Sequence, residues 1–379
     1  MLEADVIVVG SGIAGASVAA HLAATCSVIL LESEPRPGYH ATGRSAALFS
    51  QIYGNPLIRT LTRASRDFLW HPDPEFTPSA LTRPRASLFI ATTAQVPALD
   101  EFAALPDVAP QTRPVTAAEA LELCPALRAD YVAAALLEPG SADIEVHALH
   151  DGYLRQFRRR GGRMVCDSPV HALLHDGRRW RAEAPAGRFA APLIVNAAGA
   201  WADQLAGLAG VEPLGLMPLR RTAMLVDAPR DHACGGWPMV IDVDEAFYFK
   251  PDAGSLLLSP ADETPAPPGD VQAEEWDVAV AVERIQTATT LDIRTLKRRW
   301  AGLRTFAPDR TPVVGFCAAK PGFFWLAGQG GYGIQTAPAL SRAAAALILG
   351  EPLPADLLEL GLRATDLSPS RFVHDRQQE

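Results

Sequence analysis

The sequence predicts an α/β fold in which a Rossmann-like nucleotide-binding domain, discontinuous along the chain, carries an inserted, mainly antiparallel domain. A complete strand–glycine turn–helix–strand unit fills residues 5–32. Apolar runs suited to strands buried on both faces return at Leu193-Ile194-Val195-Asn196 and Phe323-Phe324-Trp325-Leu326-Ala327, each running into glycine. Between them, residues 216–260 alternate in strand fashion. The expected boundaries are 1–80, 141–215 and 301–379 for the nucleotide-binding domain and 81–140 and 216–300 for a substrate-binding domain.

Taken in order, Asp5-Val6-Ile7-Val8-Val9 is a β-branched strand, Gly10-Ser11-Gly12-Ile13-Ala14-Gly15 is the turn, and a helix runs over residues 14–24. Val28-Ile29-Leu30-Leu31 is the second strand and ends on Glu32. A loop over 43–49 leads to a helix over 56–69, and four prolines between 71 and 84 mark an irregular stretch. Ser87-Leu88-Phe89-Ile90-Ala91 reads as a strand and 116–124 as a helix capped by Thr116 with Glu119 three positions on. A helix pattern covers 143–160, the Pro-rich acidic stretch 261–275 reads as an exposed loop, and an Ala-rich helix ends near Gly350. The last dozen residues are polar and expected to fray.

Composition narrows the class. Hydrophobic residues are 48% and charged residues 20% of the chain, ordinary globular usage. The net charge of −9 argues against nucleic acid as a partner, since phosphate contacts need clustered Lys and Arg. Five scattered cysteines form neither a disulfide framework nor a zinc site. His147, His150, His171 and His175 lack acidic or cysteine partners, so no metal is expected. Acidic Glu3 and Asp5 precede the first apolar run where a signal peptide would be basic, and no run reaches ~18 apolar residues. The expected location is cytoplasmic, with peripheral attachment to the inner membrane as an alternative and no transmembrane segment.

The glycine turn has a physical logic. Gly10 allows the tight turn, Gly12 lets the backbone approach a pyrophosphate, and Gly15 allows close helix–strand packing. The helix N-terminus, with Ile13 and Ala14, then faces the phosphates, and Glu32 would accept from ribose hydroxyls. A dinucleotide is therefore the expected ligand. The separated glycine segments at 196–199 and 328–333 suit FAD better than NAD, whose domain is usually one continuous block.

Four segments carry a family resemblance: Gly38-Tyr39-His40-Ala41-Thr42-Gly43-Arg44-Ser45-Ala46-Ala47, Asn196-Ala197-Ala198-Gly199-Ala200-Trp201, Trp300-Ala301-Gly302-Leu303-Arg304 and Gln329-Gly330-Gly331-Tyr332-Gly333-Ile334-Gln335-Thr336. Through them the chain resembles, nearly end to end, the FAD-dependent D-amino acid oxidase and dehydrogenase (DAO) family, and within it the bacterial FAD-dependent D-arginine dehydrogenases. The resemblance implies a glutathione-reductase-type, D-amino acid oxidase-like fold and non-covalent FAD; Cys317 lies on the wrong local motif for covalent attachment. It places Thr42, Gly43, Arg44, Ser45 and Ala46 against the flavin and its phosphates, and Val170 at the adenine. Ala198, Gly199 and Trp201 fall in the next FAD segment, and Gly302, Gly331, Tyr332, Gly333, Ile334 and Gln335 around the isoalloxazine.

The resemblance also implies that Arg304 clamps the substrate carboxylate and that Arg221 is a second arginine facing it, with Arg220 the competing neighbour. A guanidinium fork holds a carboxylate bidentately, each charge-assisted bond contributing roughly 1.5–3 kcal/mol. Tyr53 and Tyr248 match tyrosines of the substrate cavity, although core packing is the rival role for Tyr248. Leu48 and Ser87 stand where D-arginine dehydrogenases carry a histidine and an acidic reader of the guanidinium, and Gly331 lies beside them in the pocket. A neutral or apolar D-amino acid is therefore the expected substrate, with Glu75, Asp244 and Glu245 as other possible sources of the missing charge. The expected reaction is oxidation of amine to imine by hydride transfer to flavin N5, then hydrolysis to a 2-oxo acid and ammonia. The reduced flavin passes electrons to O2 or a quinone-like acceptor. The rivals are an oxidase of glycine, sarcosine or another secondary amine, a 2-hydroxy acid oxidoreductase, and a flavin-binding module without turnover.

Overall fold

Alternation within the first strand sets the architecture. Along Val6–Val9, Val6 and Val8 pack under one helical layer, while Ile7 and Val9 face the opposite layer. Both faces are covered, which is why the strand is apolar throughout. The computed structural model describes residues 1–229 and 233–372.

A six-stranded sheet runs in the order Arg163–Val165, Val28–Leu31, Val6–Val9, Leu193–Asn196, Phe323–Ala327 and Val313–Phe316, all parallel except the last. Helices Ile13–Leu22, Val146–Arg159 and Gly333–Leu349 contribute to the core on one face. An antiparallel run of Ala172–His175, Trp180–Ala184 and Gly187–Ala191, with helix Ala202–Leu208, covers the other. Val6–Val9 pairs with Val28–Leu31 on one side and Leu193–Asn196 on the other, so the strand order reverses there. Ligands of open α/β sheets bind outside the carboxyl ends of strands at such a point.

A second, mixed sheet is built around the long antiparallel pair Met217–Asp227 and Leu296–Phe306. It extends through Ser255–Ser259, Tyr248–Asp252, Met239–Asp242, Ser87–Ala91, Ala134–Glu138 and Arg113–Thr116. Only the join of Met239–Asp242 to Ser87–Ala91 is parallel. Helix Glu275–Ala288 packs on the face away from the site.

Several local expectations change. Residues 143–160 are not one helix: Ala142–Ile144 is a strand pairing with Leu48–Phe49 and Thr82–Pro84, and the helix is Val146–Arg159. Met217–Asp227 is buried on both faces over most of its length, so its alternation is of contact partner and not of exposure. The stretch 261–275 is mostly an exposed loop, as expected, but it is anchored: Thr264–Pro265 forms a short strand edge, and the half-buried Asp262 accepts the Thr222 N–H and hydroxyl at 2.6 and 3.0 Å. Of the last dozen residues, Pro369–Phe372 is a 3-10 turn held by Arg371 on Asp309, 2.7 Å apart. Residues 373–379 lie outside the described residues.

Candidate active site

The carboxyl ends of four parallel strands meet at one long cavity. Gly10 and Gly12 follow Val6–Val9, Glu32 follows Val28–Leu31, Ala198 and Gly199 follow Leu193–Asn196, and Gly328 to Gly331 follow Phe323–Ala327. The parallel sheet thus gathers segments that are remote in sequence. Gly10 has φ +99°, and a Cβ there would lie 2.4 Å from the Ala197 carbonyl oxygen, so no other residue fits. Gly12, Ile13 and Ala14 open the helix N-terminus onto the cavity, where its N–H groups suit a diphosphate. A Cβ on Gly12 would stand 3.2 Å from Thr42 Oγ1, inside the cradle.

Glu32 lines the cavity and also ties the turn down. Its Oε2 accepts the Ser11 N–H at 2.8 Å and the Ser11 hydroxyl at 2.5 Å, and its Oε1 accepts the Glu34 N–H at 2.9 Å. His150, absent from the sequence reading as a site residue, supports the same turn with Nε2 2.8 Å from the Ser11 carbonyl. Burial lowers its pKa.

Among the other expected cofactor residues, Thr42, Arg44, Ser45, Ala46, Val170, Ala198, Gly199, Trp201, Gly302, Gly331, Gly333 and Ile334 all line this cavity. Four do not. Gly15 packs against Gly10, where a Cβ would come within 1.8 Å of the Gly10 carbonyl oxygen. Gly43 closes a turn, donating its N–H to the Gly38 carbonyl at 2.8 Å. Tyr332 packs edge-on against Tyr53 and Phe306. Gln335 donates to Thr62 Oγ1 at 2.9 Å and lines a smaller neighbouring cavity. Arg44 also braces the cavity wall. Its guanidinium pairs with Asp270 and donates to the carbonyls of Val271 at 3.1 Å and Ala301 at 2.9 Å, holding Gly269 and Val271 on the cavity wall.

The smaller cavity adjoins the first. Arg221, Tyr248, Arg304 and Gly331 border both, so the two expected arginines stand at the junction. The register explains this: Arg221 pairs with Gly302, two residues before Arg304, so both side chains leave the same sheet face. Arg220 leaves the opposite face and pairs with Glu274 and with Asp277, the latter at 2.8 Å, which removes it as a competitor. Arg221 donates through Nε to the Asp262 carbonyl at 2.8 Å and through Nη2 to Glu263 at 3.2 Å. Although burial raises the Glu263 carboxyl, Arg310, Arg221 and Arg304 together hold it below its ordinary value. Arg304 donates from Nη1 to the Tyr53 hydroxyl at 3.1 Å and makes no ion pair among the described residues. A Cβ on Gly331 would fall 2.7 Å from that Nη1.

Leu48, Tyr53 and Tyr248 line the smaller cavity, joined by Phe89, Met239, Ile241 and Glu245. Ser87 does not: its hydroxyl is buried 2.8 Å from that of Ser141. Phe89, two residues along the same strand, faces the cavity instead. Glu245 brings a carboxylate to the cavity, whereas Asp244 accepts from Gln95 at 2.8 Å and Glu75 meets Arg159 through its backbone carbonyl.

Among the described residues no helix is long and apolar enough to cross a membrane. Residues 5–347 match the model of a family described as FAD dependent oxidoreductase, DAO. The uncharacterized oxidoreductase YurR of Bacillus subtilis is 25% identical, with 93% of this chain and 96% of that protein covered. Glycine oxidase of Geobacillus kaustophilus is 27% identical over 67% of this chain and 64% of its own length. Mitochondrial dimethylglycine dehydrogenase of Rattus norvegicus is 27% identical over 94% of this chain, which spans only 44% of that protein. The fold matches the crystal structure of L-proline dehydrogenase from P. horikoshii with a TM-score of 0.84 at 20% identity, covering 99% of both chains. The glycine turn, the cradle and the carboxylate at the second strand fit FAD, and the chain belongs to the DAO family of FAD-dependent oxidoreductases.

Proposed function

We propose that the protein oxidises a D-amino acid with a neutral or apolar side chain to the imino acid, which water converts to a 2-oxo acid and ammonia. The observation that carries this reading is Arg304, a guanidinium without a carboxylate partner among the described residues, standing where the two cavities join. A cation in that position calls for an anion, and the α-carboxylate of an amino acid supplies one with matching fork geometry. Tyr53 fixes one arm of the fork by accepting its N–H, and Gly331 leaves room for it. Leu48, Phe89, Met239 and Ile241 give the side chain an apolar bed and exclude water from the reacting carbon. FAD, when bound, supplies the two-electron acceptor, non-covalently, and the electrons leave to O2 or a quinone-like acceptor. Glycine oxidase and dimethylglycine dehydrogenase, among the relatives, are named for substrates that also carry an amine α to a carboxylate. The motif resemblance to D-amino acid dehydrogenases supports the D configuration.

A second reading rests on Glu245, exposed and on the wall of the smaller cavity. It could pair with a cationic side chain in place of the acidic group missing at Ser87, and D-arginine would then be preferred. Anaerobic mixing with D-, L- and N-methyl amino acids, watching the flavin bleach, decides between them. Faster bleaching by D-leucine, D-methionine or D-phenylalanine than by D-arginine is the expected outcome. A D-arginine advantage of about tenfold that Glu245→Gln abolishes selects the second reading. Bleaching by glycine or N-methyl substrates alone removes both.

A further inference from the structure

A wholly buried carboxylate stands behind the smaller cavity and takes no part in the contacts described so far. Glu138 ends the strand Ala134–Glu138, is 0% exposed, and makes no ion pair among the described residues. Burial pushes its carboxyl up to about 7, against the pull of the two hydrogen bonds it accepts. Such a group is expensive to bury, and its two oxygens are both committed to one short segment. Oε2 accepts the Ser50 hydroxyl and Oε1 accepts the Gln51 N–H, each at 2.7 Å. The Ser50 N–H in turn goes to Gln335 Oε1 at 3.1 Å, and Gln335 is held by Thr62.

These bonds fall on a stretch with no ladder of its own. Residues 50–55 link the two-residue strand Leu48–Phe49 to helix Pro56–Trp70, and they deliver Tyr53 to Arg304. Tyr53 lies two positions beyond Gln51, a span of about 7 Å at most. The position of the Tyr53 hydroxyl therefore depends on where Ser50 and Gln51 are fastened.

We propose that Glu138 is a positioning residue for the substrate cavity, fastening Ser50 and Gln51 so that Tyr53 meets the guanidinium of Arg304. The claim about substrate rests on the carboxylate-clamp reading given above; the claim about the segment does not. In Glu138→Leu neither bond can form at similar volume, whereas the amide of Glu138→Gln can still accept the Gln51 N–H and donate to the Ser50 hydroxyl, which makes it the conservative control.

Hydrogen–deuterium exchange of the FAD-loaded enzyme without substrate tests the fastening itself. A peptide covering residues 48–55 should exchange at least about tenfold faster in Glu138→Leu and near the parent rate in Glu138→Gln, while one covering residues 6–22 is unchanged in both. Steady-state kinetics then tests the consequence. In Glu138→Leu, KM for the best amino acid should rise about tenfold with kcat within about threefold, and adding Tyr53→Phe should raise it no further, as expected for groups acting through one contact. Should Glu138→Leu fold poorly, Ser50→Ala removes one of the two bonds alone and must show the same pattern. Unchanged exchange over 48–55 overturns the proposal whatever the substrate. Faster exchange with KM effects that add to those of Tyr53→Phe overturns the link to Arg304. If Arg304→Met leaves KM unaffected while 48–55 still loosens, the clamp reading is the one that fails.

Discussion

On the proposed reading, Arg304 concentrates the chemistry of the site in one side chain. It needs a neighbour without a Cβ at Gly331 and a hydroxyl acceptor at Tyr53, both of which the fold supplies, and it makes no ion pair among the described residues. Arg304→Met should raise KM for amino acids and lower kcat/KM by about 3 kcal/mol, roughly a hundredfold, with FAD content unchanged. Gly331→Ala should act in the same direction and more weakly, because the displaced atoms are the flexible end of Arg304. Both are read by steady-state kinetics beside the flavin absorbance of the purified variants. An effect below threefold for Arg304→Met would put the carboxylate elsewhere.

At the scale of the element, strand alternation separates two adjacent arginines into different roles. Arg221 faces the cavity junction, while Arg220 faces helix Glu275–Ala288 and balances buried Asp277 and Asp262. Arg220→Ala leaves Asp277 without its counter-charge and should cost about 3–5 kcal/mol of stability, seen as a fall in Tm. The folded fraction should keep its KM; a raised KM with unchanged Tm would give Arg220 the role assigned to Arg221. The local signals were legible here: the β-branched strands, the Thr116 cap and the glycine turn all appear where their chemistry puts them. Long-range pairing was not. Nothing near Ser87 announces that Ser141 will close it off and leave Phe89 over the cavity, since both follow from the pairing of Ser87–Ala91 with Ala134–Glu138. The acidic stretch 262–277 is largely exposed, as its composition suggests, but nothing in it announces that Arg220, Arg221 and Arg44 come against it from other strands and loops.

For the whole molecule, the decisive step is the convergence of four strand ends, which turns glycine segments some 190 and 320 residues beyond the first into one surface. The sequence shows such segments because each is a strand followed by a turn. It conceals Glu138, whose meaning lies in contacts with Ser50 and Gln51 nearly ninety residues away. The contact of Arg44 with Asp270 has a kinetic consequence. Gly269 and Val271 form part of the wall of the larger cavity, and what holds them there includes an ion pair through Asp270, whose side chain is about half exposed. Exposed pairs are worth at most about 1 kcal/mol and weaken with salt, so the residence time of FAD should shorten as ionic strength rises. Asp270→Asn should release FAD a few-fold faster at low salt and lose most of that salt dependence, as followed by the fluorescence of the freed flavin. If release is equally fast in both proteins at every ionic strength, the cofactor leaves by another side of the cavity. If it behaves as expected, the protein holds its cofactor less firmly in concentrated electrolyte, and saturation with FAD becomes a property of the medium as much as of the fold.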